Sequence, residues 1–212
     1  VATAAHPVQM LTRVSQRRQV AALPFGVDTQ HPQGMGKIGD DLYVSSVEIK
    51  TPTKRFAQLQ DGYDRDTGEG VGHLFKFDKT GKLLSDTVLG EGSVYHPGGI
   101  DFDGRYIWVP VAEYRPNSRA IVDKVDPATM KPVEVLLYGD HLGGGVHNTD
   151  ARTLKFGSWS HRPFKPLAPR GPGPRDPGRR RRGLHPGPYH CGATPCCTTH
   201  IRRRPPGSHT RE

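Results

Sequence analysis

Cysteine is absent from the first 190 residues of the chain, and its three cysteines come later, at Cys191, Cys196 and Cys197. Most of the sequence therefore relies on neither disulfides nor cysteine-ligated metals. No run of about 18 apolar residues occurs, which argues against a spanning helix. Residues 1–19 lack the apolar centre of a signal peptide. The opening VATAA fits a mature end left after export, which favours a secreted or periplasmic protein.

Apolar residues are also scarce, at 33%, whereas Gly and Pro number 26 and 20, which indicates a loop-rich chain. The basic excess is unevenly distributed. Twelve of the 30 Lys and Arg residues lie from His161 onward, against two of the 21 acidic residues, so this tail carries +10 and the remainder −1. The net charge of +9 thus belongs to the tail. No G-x-S-x-G sequence occurs, which removes the usual serine-hydrolase interpretation.

Two stretches 65 residues apart share one pattern. HPQGMGKIGDDLYVSSVE (residues 31–48) and HPGGIDFDGRYIWVPVAE (96–113) agree at six of eighteen positions without a gap. Each has a short apolar entry, a polar turn and a run of β-forming residues, which predicts a hairpin. A second hairpin follows each copy, with last strands at 83–89 and 133–138. Residues 20–25 are expected to form an isolated fourth strand ahead of the first copy.

A third copy is predicted to start at His147, because Trp159 follows it by twelve residues, the spacing of an aromatic residue from the leading His in both earlier copies. The pattern then stops. Residues 161–212 contain eleven Pro and seven Gly, a composition that predicts disorder. Two interpretations of this tail stand side by side. Its arginines bind nucleic-acid phosphates, or the reading frame changes near residue 160, since out-of-frame GC-rich DNA encodes Arg, Pro, Gly, His and Cys.

Four antiparallel strands repeated at this period are typical of a propeller blade. The predicted fold class is all-β, with an N-terminal segment (1–19), a partial β-propeller (20–160) and a disordered basic tail (161–212). The propeller part supplies about two and a half four-stranded blades, whereas closed propellers have about four to eight. We therefore expect an open arrangement of blades.

The first strand of a propeller blade is the innermost, so the His before it and the Glu that ends the second strand are expected at one rim of the channel. This places His31 with Glu48 and His96 with Glu113 as candidate catalytic pairs. With His147 from the third copy, His31 and His96 are also candidate ligands of a divalent metal such as Ca, Mg or Zn. The structural alternative is that His-Pro-x-Gly only turns the chain and the glutamates pair with Lys or Arg.

A long loop over residues 49–72 leaves from the same rim, and the second copy replaces it with only a few residues. Long loops in compact domains often serve as lids or binding segments. We expect four of its residues to contact a ligand: Tyr63, Asp64, Arg65 and Asp66. The alternative is a solvated insertion.

With HPQGM, DLYVSSVEIKTPT, YDRDTGEGVGHLFKFD and VHNTD in view, residues 20–155 resemble an uncharacterised family of exported six-bladed propeller proteins. The repeat is more distantly similar to gluconolactonase/regucalcin-like lactonases and to streptogramin lyase. Those propellers place a divalent metal or a catalytic His at the channel mouth. The resemblance implies metal ligands or a His/Glu pair at the rim positions named above, although a fold does not fix an activity.

Three functions follow as hypotheses. The first is a metal-assisted hydrolase or lyase acting on a small ester or lactone at the His/Glu rim. The second is a non-catalytic propeller that binds a small molecule or a protein there, with residues 49–72 as the recognition element. The third is nucleic-acid binding through the basic tail, which requires the tail to be genuine.

Overall fold

The computed structural model describes residues 12–16, 18–19, 21–159 and 165–167. All of them belong to one compact unit, Val1–Pro174. The described residues form antiparallel β-structure, which confirms the all-β fold class, and none of them is helical. Within this part of the chain there is accordingly no helix able to cross a bilayer.

The first sheet begins with β1 (His31–Ile38) and β2 (Asp41–Thr51), which pair through a tight turn at Gly39 and Asp40. The chain next forms a separate hairpin of β3 (Arg55–Gln60) and β4 (Tyr63–Arg65). It returns as β5 (Glu69–Phe77) and β6 (Leu83–Leu89), giving the sheet order β1-β2-β5-β6. The predicted long loop is therefore partly strand, and the strand predicted at 83–89 is confirmed.

The second sheet repeats this arrangement, with its first strand split in two. Its strands are β7 (His96–Pro97), β8 (Asp101–Phe102), β9 (Ile107–Ala112), β10 (Ala120–Val125) and β11 (Pro132–Tyr138). Both β7 and β8 pair with β9, so the sheet runs β7/β8-β9-β10-β11. The last strand predicted for this repeat, over 133–138, is thereby confirmed.

A third sheet contains β12 (Gly144–Asn148), β13 (Thr153–Gly157) and β14 (Lys165–Leu167). Strand β14 pairs with β13 and lies within residues 161–212, so the sheet continues beyond the predicted boundary at 160. The rest of the predicted tail lies outside the described residues.

Strand β9 explains how the sheets pack. Its sequence IWVPVA is buried throughout, because successive side chains of a strand point to opposite faces and both faces are covered. Ile107, Val109 and Val111 join one core cluster with residues of the first sheet, such as Tyr43 and Leu74. From the opposite face, Trp108 and Ala112 join a second cluster, which reaches the third sheet through Leu142, Leu154 and Phe156. The second sheet is thus the middle layer of the described structure.

The segment predicted as an isolated strand at 20–25 is not one, because the described residues 21–30 form no strand. Instead, Phe25 stacks on Phe77 with ring centroids 4.1 Å apart. The Gly26 amide also donates to the Gly81 carbonyl over 3.0 Å. Side-chain stacking and a single turn contact hold this segment, whereas a strand needs a continuous row of backbone partners.

Candidate functional site

A histidine stands at the start of each sheet. His31 opens β1, His96 opens β7, and His141 lies three residues before β12. Both His31 and His141 precede the last residue of their first strand by seven positions. The position predicted for His147 is therefore held by His141, and the predicted start of the third repeat is wrong by six residues.

A glycine three residues after each histidine lets the first strands approach one another. These glycines are Gly34, Gly99 and Gly144. Gly99 and Gly144 form a parallel bridge, and the Gly99 amide donates to the Gly143 carbonyl over 3.1 Å. A Cβ added to Gly34 would come within 2.8 Å of the Gly99 Cα, a distance that side-chain-bearing residues do not tolerate. This close approach brings the three histidines to one region.

Five aromatic rings meet there, which we call the histidine cluster: His31, His96, His141, Tyr114 and Trp159. The His96 ring stacks on Tyr114 with centroids 4.2 Å apart and meets His31 edge-on at 6.2 Å. The Trp159 ring lies 4.8 Å from His141 and 5.7 Å from Tyr114. Residues in or next to all three sheets therefore form one continuous group of rings.

Burial keeps two of these imidazoles uncharged at neutral pH. Only 7% of His96 and 5% of His141 is exposed. Desolvation, reinforced by the nearby His141 and His31, lowers the pKa of His96 to about 3. Desolvation likewise lowers the pKa of His141 to about 4, although Asp140 opposes the shift. His96 and His141 therefore present neutral rings, each with one donor and one acceptor nitrogen.

Three ring nitrogens in the histidine cluster are buried without a hydrogen-bond partner among the described residues. They are His96 Nε2 and both nitrogens of His141. An unsatisfied buried polar atom costs about 1–3 kcal/mol, and such atoms are rare in folded proteins. Three of them in one cluster mark a place where an ordered water or a small molecule would make hydrogen bonds.

The predicted His/Glu pairs do not form. His31 pairs in register with Val47, so the pleat turns the next residue, Glu48, to the opposite face of β2. The Glu48 carboxylate instead lies 3.9 Å from Lys50 Nζ and is 42% exposed. This arrangement matches the structural alternative, in which the glutamate pairs with a lysine.

The Glu113 carboxylate forms ion pairs with two arginines. It accepts hydrogen bonds from Arg115 Nε at 2.8 Å, Arg119 Nε at 3.0 Å and Ser93 Oγ at 2.8 Å. Burial alone would raise the pKa of Glu113, but these donors hold it below its usual value. A carboxylate that is ionised and held by three hydrogen bonds is a poor general base.

The β3–β4 hairpin, which belongs to the loop predicted at 49–72, reaches the histidine cluster. The Arg65 guanidinium lies 5.1 Å from the centroid of the Trp159 ring, and Arg115 lies 3.5 Å from that of Tyr63. Asp64 holds Arg65 through two hydrogen bonds of 2.8 and 2.9 Å, and this contact lowers the pKa of the Asp64 carboxyl.

The fourth residue predicted to bind a ligand, Asp66, has a structural role. Its Oδ1 accepts hydrogen bonds from the amides of Lys54 at 2.8 Å and Gly68 at 3.1 Å. It therefore fixes the base of the hairpin.

His147 lies elsewhere. Its amide donates to Asp101 Oδ2 over 2.6 Å, and its ring lines a cavity with Asp103 and Trp108 near the hairpin turns of the second and third sheets. The predicted metal set of His31, His96 and His147 is therefore not assembled. Among the residues that the structure describes, no group of three or more His, Cys, Asp or Glu side chains is placed to hold a metal ion.

Sequence reasoning missed His141, Tyr114 and Trp159. The signal for His141 was present, since HLGG at 141–144 follows HPQG and HPGG with Leu in place of Pro. Trp159 lies eighteen residues after His141, just as Tyr114 lies eighteen after His96. The sequence prediction matched Trp159 to the strand aromatics Tyr43 and Trp108, whereas its equivalent is Tyr114. The predicted start of the third repeat was therefore placed at His147 and not at His141.

Comparison with known proteins gives a family without an assigned activity. No curated protein sequence matches the chain. Residues 4–169 match the model of DUF6454, described as a family of unknown function. This match covers more than three quarters of the chain and includes all three sheets. The chain therefore belongs to the DUF6454 family.

Proposed function

We propose that the three sheets are successive blades of a β-propeller and that the histidine cluster forms a binding site for a small molecule at the propeller's rim. Two features support the blade assignment. The first two sheets have the same four-position antiparallel order. The first strands of neighbouring sheets approach closely at Gly34, Gly99 and Gly144, as innermost strands around a channel would.

The observation that carries the binding proposal is the set of unpartnered nitrogens on His96 and His141. Filling them with hydrogen bonds from a ligand recovers part of the desolvation cost already incurred on folding. Because both rings are neutral, the ligand group is best a carbonyl, hydroxyl or amide rather than a charged group. The faces of Tyr114 and Trp159 favour a flat or apolar remainder.

A second candidate is hydrolysis or elimination on a small ester or lactone at the same place. A neutral imidazole polarises a carbonyl by donating a hydrogen bond, and burial of His96 and His141 keeps them in that form. The metal-assisted version lacks a fitting ligand set among the described residues, so no step is assigned to a metal. Nucleic-acid binding by the tail concerns residues outside the described part and stays a prediction.

Small carbonyl probes test the proposal on the full chain. We would titrate γ-butyrolactone, δ-valerolactone and benzamide against the protein by ligand-observed NMR, and follow hydrolysis of both lactones in parallel. At least one probe should bind, and His141→Phe should weaken its binding about tenfold, the equivalent of one lost hydrogen bond. Lactone turnover removed by His96→Gln would favour the catalytic candidate.

The matched control is His73→Phe. His73 lies on β5, where its Nδ1 already pairs with Asp86 Oδ1 at 2.8 Å and its ring stacks on Phe75. This variant should bind the probes as the parent does. Failure of every probe to bind, or equal weakening by His73→Phe and His141→Phe, would refute the proposed site.

A further inference from the structure

A cavity separate from the histidine cluster lies near the hairpin turns of the second and third sheets. Its volume is about 380 Å³, within the range usual for small-molecule sites. The lining residues are Asp103, Trp108, His147, Thr149, Arg152 and Leu154. The proposed function uses none of them.

Asp103 supplies a fixed acceptor. Its Oδ1 accepts hydrogen bonds from the amides of Arg105 at 2.8 Å and Tyr106 at 2.7 Å, and its Oδ2 accepts one from Trp108 Nε1 at 2.7 Å. Burial tends to raise the pKa of this carboxyl, but those donors hold it below its usual value. Asp103 is thus ionised and rigid, and Oδ2 keeps one lone pair for a ligand.

Residues that line this cavity carry hydrogen-bonding groups that protein atoms leave unused. His147 Nδ1 is buried and has no partner in the described part of the chain. Within the same described part of the chain, no carboxylate pairs with Arg152, and the Thr149 hydroxyl makes no hydrogen bond. Arg152 lies at the end of the β12–β13 turn, where its backbone is left-handed with a φ of 49°.

We propose that this cavity binds a neutral polyhydroxylated molecule of the monosaccharide class. Its walls offer both acceptors and donors, which suits hydroxyl groups that donate and accept at once. The charges of Asp103 and Arg152 cancel, which disfavours a small anion or cation. Leu154 and the Trp108 ring supply apolar surface for the carbon side of a sugar.

The test is isothermal titration of the full chain with D-glucose, D-galactose and D-mannose, with inorganic phosphate as the anionic competitor. At least one sugar should bind, phosphate should not displace it, and Arg152→Gln should weaken binding about tenfold. Arg152 is exposed, so its replacement should leave folding intact.

Arg105→Gln is the matched control, since Arg105 lies on the neighbouring turn with its guanidinium 5.0 Å from the Tyr106 ring centroid. It should bind as the parent does, and so should His141→Phe, which separates this cavity from the histidine cluster. Absence of binding by all three sugars, displacement by phosphate, or equal loss in Arg105→Gln and Arg152→Gln would overturn the proposal.

Discussion

The Arg115 guanidinium lies 3.5 Å from the centroid of the Tyr63 ring, and the Nε of the same arginine donates to Glu113 over 2.8 Å. A second contact runs the other way, because Arg65 of the β3–β4 hairpin lies over Trp159 of the histidine cluster. The hairpin thus contributes the Arg65 cation and the Tyr63 ring, and the facing surface contributes the Arg115 cation and the Trp159 ring. Such contacts contribute about 0.5–2 kcal/mol each, so together they hold the hairpin against Arg115 and Trp159.

Replacing Arg115 should release the hairpin without unfolding the sheets. In Arg115→Ala we expect amide exchange of residues 55–65 to quicken by about tenfold, the effect of losing about 1.4 kcal/mol of local stability. Exchange in β9 should be unchanged. Hydrogen exchange with mass spectrometry measures both regions at once.

Arg105→Ala controls for the loss of a cation over a tyrosine, since Arg105 lies over Tyr106 away from the hairpin. It should leave exchange at 55–65 as in the parent. If both variants quicken that exchange equally, or neither does, the account of the hairpin contact is wrong.

Gly34 and Gly36 form a matched pair on β1. A Cβ at Gly34 would meet the Gly99 Cα at 2.8 Å and the Ile100 amide nitrogen at 2.9 Å, whereas one at Gly36 meets nothing closer than Ile100 Cδ1 at 3.9 Å. Gly34→Ala should therefore destabilise the protein by about 1–3 kcal/mol, the usual cost of overpacking. Gly36→Ala should change stability little. Urea unfolding compares them, and equal midpoints would contradict the close approach of the first strands.

Asp123 should make the protein less stable at neutral pH. Burial, helped by Glu134 on the adjacent strand, raises the pKa of Asp123 to about 6. As pH rises, the unfolded chain loses this proton near pH 4, whereas the folded state keeps it until about pH 6. The contribution of Asp123 to the free energy of unfolding is therefore fully present below about pH 4 and is lost as pH rises through about 6. Asp123→Asn should therefore raise the free energy of unfolding by on the order of 2 kcal/mol at pH 7 and leave it unchanged in acid. A gain that is independent of pH would contradict this origin.

His96 and His141 should make the folding stability depend on pH in the opposite direction to Asp123. Unfolded histidine takes up a proton near pH 6.5, whereas the folded rings do so only near 3 and 4. Stability should therefore fall as pH drops from about 6.5 towards 4. Urea unfolding in the Asp123→Asn background removes the opposing contribution of Asp123, and adding His141→Phe should reduce the slope that remains. The slope should survive His73→Phe.

The repeat in the sequence predicted the strand order well, because a run of β-forming residues bounded by Gly and Asp turns is local information. The two early copies correctly located β2, β6 and β11. The third copy failed because its Pro is replaced by Leu142, and only the pairing of β12 with β13 fixes its register.

The candidate site was less predictable than the strands. His31 and His96 were correctly brought together, but Glu48 and Glu113 were assigned by position alone. Their actual partners depend on the pleat of β2 and on arginines outside the repeat. The contact of Tyr114 with Trp159 joins the second and third sheets. No local pattern encodes such a contact.

The most direct test is a nitrogen-15 NMR measurement of the His96 and His141 imidazoles at pH 7, with and without γ-butyrolactone, δ-valerolactone and benzamide. Both rings should be neutral without ligand, and at least one probe should shift the resonances of His96 Nε2 or the His141 nitrogens as a hydrogen bond forms. Rings that are protonated at pH 7, or nitrogens that none of the three probes shifts, would contradict a neutral ligand-binding site at the histidine cluster.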